Sequence, residues 1–285
     1  MTSDLGDRAR PLGPDERTGV LAPGNLQRYG ARWFDPAAAV TSVVDRYWFV
    51  EWNLDAGERI EQRIIDTPSV TLTLETGDGP GPLVVTGVQE RAWTRIIAGS
   101  GSAFGIRLRP AGLAALSSLS PTDIADSTVP LTPALSPGLH ALLAEVSEAP
   151  TPAERAAAAD AAITQRLAAA PLTPDLLLAN AIVEELTLRV RSPAGQDLAE
   201  QFGVSERTVQ RVLKATLGKG PKWISRRVRL QEVARVLATE PDADLAALAA
   251  DLGYTDQAHL TGDFRAVTGI TPGAYRRSLQ ALAPR

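Results

Sequence analysis

Cysteine is absent from the 285-residue chain, and there are only two histidines. Without cysteine, a disulfide framework, a thiolate nucleophile and a cysteine-ligated zinc site are all excluded. The two histidines, His140 and His259, fall in different predicted regions, and no histidine precedes His140. A barrel that binds a metal through clustered histidines is therefore excluded as well. We predict no catalytic residue, no metal site, no cofactor and no enzymatic activity.

Long apolar runs are also absent. No stretch of about 18 apolar residues occurs, so no transmembrane helix is predicted. Residues 1–24 are polar and lack the apolar segment of a signal peptide, and we predict a disordered leader there. The length fits roughly two domains of about 100–200 residues each. These features predict a cytoplasmic globular protein.

Charge is distributed unevenly along the chain. Residues 1–195 carry a net charge of −7, whereas residues 196–285 carry +3. Nine basic and two acidic residues fall between positions 203 and 235. Such a basic strip on an acidic protein attracts phosphates. Taken alone, however, a charge run is more often a solvated helix surface, and that alternative stays open here.

The region from 43 to 109 alternates short apolar runs with turn sequences, a pattern typical of strands. Strands are predicted at 43–52, 60–65, 70–74, 83–88, 93–97 and 104–108. Their regular spacing indicates a barrel or a sandwich. Helices are predicted next, at 111–119, 138–147, 152–169 and 175–191.

Aromatic residues concentrate in this strand-rich region, which holds nine of the 14 between Tyr29 and Phe104. Trp48, Trp52 and Trp93 either line a small-molecule pocket or simply fill the interior. Arg107 would meet an anionic ligand if it faced inward. We expect it to face outward, as a surface charge.

Residues 197–277 contain an internal repeat. Each half has a Leu-Ala pair, a glycine, a hydroxyl residue and a second glycine in the same order. These are Leu198-Ala199, Gly203, Ser205 and Gly218 in the first half, and Leu248-Ala249, Gly253, Thr255 and Gly269 in the second. The offset is 50 at the first glycine and 51 at the second, so the second half carries one extra residue.

Each half of the repeat is typical of a helix-turn-helix. A short helix ends at the first glycine, and Ser205 or Thr255 is placed to cap the helix that follows. A second helix set by a short turn is the arrangement that reads the DNA major groove. The candidate DNA-binding residues are Ser205, Arg207, Gln210, Arg211, Lys214, Asp256, Gln257, His259 and Arg265. Arginine, lysine and glutamine can bond base edges, although contact with phosphate alone is about equally expected.

The second half carries a long signature. It reads Leu248-Ala249-x-x-Leu252-Gly253-Tyr254-x-Asp256-Gln257-x-His259-Leu260, Phe264-Arg265 and Gly269-x-Thr271-Pro272-x-x-Tyr275-Arg276. This resembles the tandem helix-turn-helix domain of AraC-type (arabinose-regulator) transcription factors. Asp45-Arg46-Tyr47-Trp48, and the segment 105–110, resemble the cupin-like N-terminal portion of one group in that family.

The resemblance implies an α+β chain. A β-rich, cupin-like barrel with trailing helices would occupy residues 25–170, and a DNA-binding domain residues 174–280. The latter would hold helix-turn-helix motifs at about 196–217 and 244–268, joined by a helix at 221–238. Trp48, Trp52, Trp93 and Arg107 are the candidate ligand-binding residues of the barrel.

The function implied by the resemblance is a one-component, sequence-specific transcriptional regulator, whose N-terminal domain senses an unknown small molecule or mediates dimerisation. Its partners would be double-stranded DNA, a small-molecule effector, a second copy of the chain and RNA polymerase. One departure weakens the second motif: Gly262 stands where the family usually has a basic residue, and Asp263 would repel phosphate if it faced DNA. The alternative is a non-catalytic protein-interaction module with weakened DNA binding.

Overall fold

The computed structural model describes residues 9–11, 19–190 and 197–281. Strands dominate the first part of the chain and helices the second, which confirms the α+β class. The strands are β1 (Ala9–Pro11), β2 (Tyr29–Phe34), β3 (Val44–Asn53), β4 (Arg59–Ile64), β5 (Thr71–Thr76), β6 (Leu83–Thr86), β7 (Trp93–Ala98), β8 (Ser100–Leu108) and β9 (Thr128–Pro130). The helices are α1 (Gly112–Leu116), α2 (Pro137–Ser147), α3 (Pro152–Ala169), α4 (Pro174–Arg189), α5 (Leu198–Gln201), α6 (Glu206–Leu217), α7 (Pro221–Thr239), α8 (Leu245–Asp251), α9 (Gln257–Thr268) and α10 (Pro272–Gln280).

The strands form two antiparallel sheets. Seven lie in the order β1-β2-β3-β8-β5-β6-β9, and β4 pairs with β7 in a separate ribbon. All six strands predicted from the apolar runs are present. β1 and β9 were not predicted, because each has three residues, including a proline, and so shows no alternation.

The predicted disordered leader at 1–24 is partly wrong. Ala9–Pro11 pair with β2, and Val20 and Leu21 are buried. Leu21 packs in a cluster with Leu260 and Tyr275, far away in the chain. Residues 1–8 and 12–18 of the predicted leader lie outside the described residues.

The large sheet has two different faces, as β8 shows. Phe104, Ile106 and Leu108 are buried in an apolar core shared with α2 and α3. The alternate residues Ala103 and Arg107 face an interior cavity instead.

A buried carboxylate of α3 binds to the sheet side of the apolar core. Asp160 accepts hydrogen bonds from the Tyr47 hydroxyl at 2.7 Å and from the Ala37 amide at 3.1 Å.

The apolar core continues across the expected boundary at 170–174 between the two domains. One cluster runs from Phe34 in the sheet through Ile182 of α4 to Val228 of α7. Asn180 of α4 reinforces it, since its side chain accepts from the Ala111 amide at 2.9 Å and donates to the Ser42 carbonyl at 2.7 Å. The C-terminal helices therefore pack directly against the β-rich part. Within the described ranges, no helix combines the length and apolarity that crossing a membrane requires.

Candidate nucleic-acid interface and interior cavity

α5 and α6 form the first helix-turn-helix. The Ser205 hydroxyl accepts a hydrogen bond from the Thr208 amide at 3.1 Å, so Ser205 caps α6 as predicted. Val209, Val212 and Leu213 are buried on one face of α6. The opposite face exposes four of the predicted DNA-binding residues, Arg207, Gln210, Arg211 and Lys214. This is the amphipathic arrangement that a recognition helix requires, with one face packed and the other free for the groove.

α8 and α9 form the second helix-turn-helix, with one correction. The residue that caps α9 is Asp256, whose carboxylate accepts from the His259 amide at 2.8 Å. Thr255 was predicted as the cap, by analogy with Ser205, and that prediction is wrong. The extra residue of the second half lies before the cap, so the two recognition helices align with an offset of 51. The offset of 51 between Gly218 and Gly269, the glycines that end the two helices, already indicated this alignment.

At an offset of 51, the buried residues of the two helices correspond. Val209 matches Leu260 and Leu213 matches Phe264, and all four are buried. The residues on the opposite, outer face differ in kind. Arg207, Gln210, Arg211 and Lys214 of α6 correspond to Ala258, Thr261, Gly262 and Arg265 of α9. The two helices therefore present the same geometry with different chemistry.

Asp263 does not face the position expected for DNA. Its carboxylate accepts from Arg226 Nε of α7 at 2.6 Å and from the Tyr254 hydroxyl at 3.1 Å. Only 12% of the side chain is exposed. The expected repulsion of phosphate by Asp263 is thus removed, because the charge is paired and turned toward α7.

The other residues predicted in the second motif take mixed positions. Gln257 and Arg265 are exposed on α9. The His259 ring packs edge-on against Tyr254, with centroids 5.2 Å apart, and its Nδ1 lies 3.3 Å from the Thr255 hydroxyl. Asp256 and His259 therefore have local structural partners, whereas Gln257 and Arg265 project outward.

Asp175 at the start of α4 is an unexpected neighbour of the first recognition helix. Arg211 donates to its two carboxylate oxygens at 2.6 and 3.1 Å. This hydrogen bond holds the pKa of the Asp175 carboxyl below its usual range. Among the described residues, no side chain pairs with Arg207, Gln210 or Lys214. Arg211 is thus the one residue of this set that an internal carboxylate restrains.

Replacing this carboxylate is expected to strengthen DNA binding. Asp175→Asn removes a negative charge beside the exposed face of α6 and releases Arg211, while an ion pair in full contact with solvent contributes little to stability. We expect the dissociation constant for DNA to fall about threefold with an unchanged melting temperature. Fluorescence anisotropy at fixed salt measures this. Glu184→Gln, which removes an α4 carboxylate paired with Arg109, is the matched control and should leave affinity unchanged; weaker binding by Asp175→Asn would contradict the prediction.

The loop between β6 and β7 contacts both helix-turn-helix motifs. Glu90 pairs with Lys219, just after α6, at 2.7 Å. The Ala92 amide donates to the Val267 carbonyl of α9 at 2.8 Å. Arg227 of α7 is 2% exposed and donates to the Gln89 carbonyl. Burial lowers the pKa of Arg227 to about 10, so it stays charged at neutral pH. The loop therefore contacts α7, α9 and the residue Lys219 that follows α6.

A cavity of about 410 Å³ lies between the two sheets. The four predicted ligand-binding residues, Trp48, Trp52, Trp93 and Arg107, all line it. Pockets for small organic ligands have volumes in this range and mostly apolar walls with a few polar groups. The cavity is not confined to the β-rich part, because Gln231 of α7 also lines it.

Arg107 faces the cavity, so the expectation that it points outward is wrong. Its guanidinium donates to Asp45 at 2.6 Å and lies 5.8 Å from the centre of the Trp33 ring. Arg46 lies over the same ring at 5.3 Å. The indole Nε1 of Trp33 is buried without a hydrogen-bond partner in the described structure. Asp66 also lines the cavity, and burial raises the pKa of its carboxyl.

Two tryptophans of β3 lie flat on glycines of β8. Trp48 pairs across the strands with Gly105, and Trp52 pairs with Gly101. A Cβ atom at Gly105 would lie 2.0 Å from Trp48 Cε2, and one at Gly101 would lie 2.5 Å from Trp52 Cζ2. The missing side chains therefore create the space that the two rings occupy, and the rings form part of the cavity wall.

Gly105→Ala is expected to destabilise the protein by about 1–3 kcal/mol, because overpacking forces the Trp48 ring off the sheet and into the cavity. Chemical denaturation followed by tryptophan fluorescence measures the loss. Gly138→Ala is the control: its Cβ would approach nothing closer than 3.5 Å, at the start of α2. An unchanged midpoint for Gly105→Ala would show that the ring is free to move.

Sequence reasoning missed several residues of these sites, among them Trp33, Asp175, Arg226 and Gln231. For Trp33 a signal existed, since Tyr29, Ala31 and Trp33 alternate along β2 and all line the cavity. No local pattern marks Asp175 or Arg226, because their partners are 36 and 37 residues away. Gln231 is also unmarked, since its role depends on how α7 packs against the sheets.

Comparison with known proteins agrees with this architecture. Residues 198–278 match the model of a family described as a helix-turn-helix domain. Residues 32–130 match a domain of unknown function (DUF6597). AraC-like transcription regulators from Streptomyces lividans and Streptomyces antibioticus are each 37% identical to this chain over 100 residues. That match covers 34% of this chain and spans about a third, 33%, of each relative.

Solved structures are similar at lower identity. ToxT from Vibrio cholerae O395 is 8% identical, with a TM-score of 0.43, over 83% of this chain and 99% of its own. The C-terminal domain of AraT, a response regulator from Geobacillus stearothermophilus, is 21% identical, with a TM-score of 0.34, over 38% of this chain and 88% of its own. The tandem motifs, the long signature in 248–276 and the sequence matches lead to one assignment. Residues 198–278 of this chain match a helix-turn-helix domain family and are similar in this arrangement to AraC-like transcription regulators.

Proposed function

We propose that this chain is a one-component transcriptional regulator that binds specific DNA sequences through α6 and α9. The observation that carries this function is the exposed face of α6, which presents Arg207, Gln210 and Lys214 without internal partners in the described structure. These side chains are those that bond guanine and adenine edges in the major groove. The regulator would act in the cytoplasm on double-stranded DNA.

The cavity between the sheets is proposed as the effector site. Its tryptophan-rich wall fits an apolar ligand body, and Arg46 and Arg107 supply polar contacts at the Trp33 end. Gln231 brings α7 into the wall, and α7 joins the two helix-turn-helix motifs. An occupant would therefore touch the helix that sets the spacing of the reading helices. Homodimerisation and contact with RNA polymerase stay predictions of the resemblance.

Binding to DNA tests the proposal directly. Duplexes recovered by the full-length chain from a random library would be compared with scrambled duplexes by anisotropy across a salt series. Sequence preference with a steep salt dependence is expected, since neutralised phosphates release counterions. Footprinting should then show two contacts about one helical turn, ~10 base pairs, apart. Recovery of no preferred sequence would overturn the proposal and favour the protein-interaction module.

A further inference from the structure

The second recognition helix has a shallow groove where the first has long side chains. Ala258, Thr261 and Gly262 occupy the positions of Arg207, Gln210 and Arg211. Together with Gln257, Arg265 and Thr271 they line the groove. Apart from its chain neighbours and the adjacent backbone of α9, no described atom lies within 4 Å of the place where a Cβ of Gly262 would stand, so the groove opens to the outside.

We propose that this groove receives thymine 5-methyl groups, so that the second helix-turn-helix selects A·T base pairs by apolar contact. This inference rests on the proposed DNA-binding function. Alanine and threonine methyl groups are among the side-chain groups that contact the thymine methyl in the major groove. Short side chains also allow the helix axis to approach the base edges more closely than long ones.

The surroundings of the groove fit DNA as its occupant. Arg265 stands at the position of Lys214 and is exposed, so a cation for phosphate is retained on this face. Gln257, at the start of α9, is of the type that bonds adenine, the partner of thymine. The acidic Asp263 is turned away and paired with Arg226. The face is therefore apolar at its centre, with polar and cationic groups at its edges.

Because the chain contains no cysteine, a single introduced cysteine can carry a chemical label at one chosen position on either recognition helix. Single-cysteine variants Ala266→Cys on α9 and Ala215→Cys on α6, each carrying a DNA-cleaving iron chelate, map which half-site each helix occupies. Both positions are exposed. Thymines in each half-site are then replaced one at a time by 2′-deoxyuridine, which removes the methyl group and leaves base pairing intact. Affinity is measured by anisotropy with the full-length chain.

At one or two thymines in the α9 half-site, deoxyuridine is expected to weaken binding about fourfold, the usual effect of losing one buried methyl group. Gly262→Arg fills the groove, so the ratio of its dissociation constants for the deoxyuridine and thymine duplexes should be close to one. Ala266→Arg adds the same charge on the same helix outside the groove, and it should keep the ratio of the unmodified protein.

Equal affinity for thymine and deoxyuridine throughout the α9 half-site would overturn the inference. So would a fourfold ratio that Gly262→Arg leaves unchanged. If specific binding persists with cleavage only from α6, this inference fails, and the part of the proposed function that stands is sequence-specific binding through α6. If no sequence is preferred at all, the proposed function itself fails.

Discussion

Arg207→Ala combined with Lys214→Ala is expected to abolish sequence-specific DNA binding without affecting folding. Both side chains are exposed on α6 and have no internal partner in the described structure. Each true base contact contributes about 1–3 kcal/mol, and each lost phosphate contact lowers the salt slope by about one. Loss of two base contacts would lower the affinity by a factor on the order of 30–25,000, and loss of two phosphate contacts would flatten the salt slope by about two.

The single variants distinguish base contacts from phosphate contacts. A residue that reads a base relaxes sequence preference at one position, whereas a residue that binds phosphate weakens all sequences equally. Arg59→Ala is the matched control, because Arg59 is an exposed arginine on β4 in the β-rich part. Thermal melting of each variant checks the fold. Retention of full affinity and specificity by the double variant would contradict DNA reading through α6.

Arg227→Ala is expected to destabilise the protein by about 3 kcal/mol, because it removes a large buried side chain and, with it, the donor to the Gln89 carbonyl. The side chain is 2% exposed, donates to the Gln89 carbonyl and lies 5.1 Å from the centre of the Trp223 ring. Truncation leaves a cavity and deprives the Gln89 carbonyl of this donor. The contact between the β6–β7 loop and α7 should weaken along with global stability.

Arg227→Met tests whether the volume or the charge of the Arg227 side chain stabilises the protein. Burial lowers the pKa of Arg227, so the fold disfavours the charge at this position. Replacing a buried charge with an apolar side chain of similar volume is often neutral or stabilising. Arg227→Met should therefore recover more than half of the stability that Arg227→Ala loses in urea denaturation. Equal losses for the two variants would show that the hydrogen bond and charge, rather than filled volume, stabilise this interface.

Most local structure follows from short-range patterns in the chain. The two glycines that end the recognition helices, Gly218 and Gly269, adopt left-handed conformations with φ of 69° and 77°. Apolar spacing identified the buried face of α6, and the strands of 43–109 occur where alternation and turn residues predicted them. These features depend on interactions within a few residues, which a linear pattern records directly.

The register of the second motif could be predicted only in part from the sequence. The extra residue could be counted from the offset of 51 at the second glycine, yet Thr255 was matched to Ser205 at an offset of 50. Only the hydrogen bond from the His259 amide to Asp256 shows which residue caps α9. Once the caps are aligned, the short residues Thr261 and Gly262 occupy the positions equivalent to Gln210 and Arg211.

By itself, the sequence determined the fold class, the tandem helix-turn-helix and the exposed cationic face of α6, since each depends on local periodicity and capping. Tertiary structure alone decided that Arg107 faces the cavity, that Asp175 restrains Arg211 and that Asp263 is paired with Arg226. It also placed Gln231 in the cavity wall. These pairings join residues far apart in the chain, so they depend on how sheets and helices pack, which no local pattern of residues encodes.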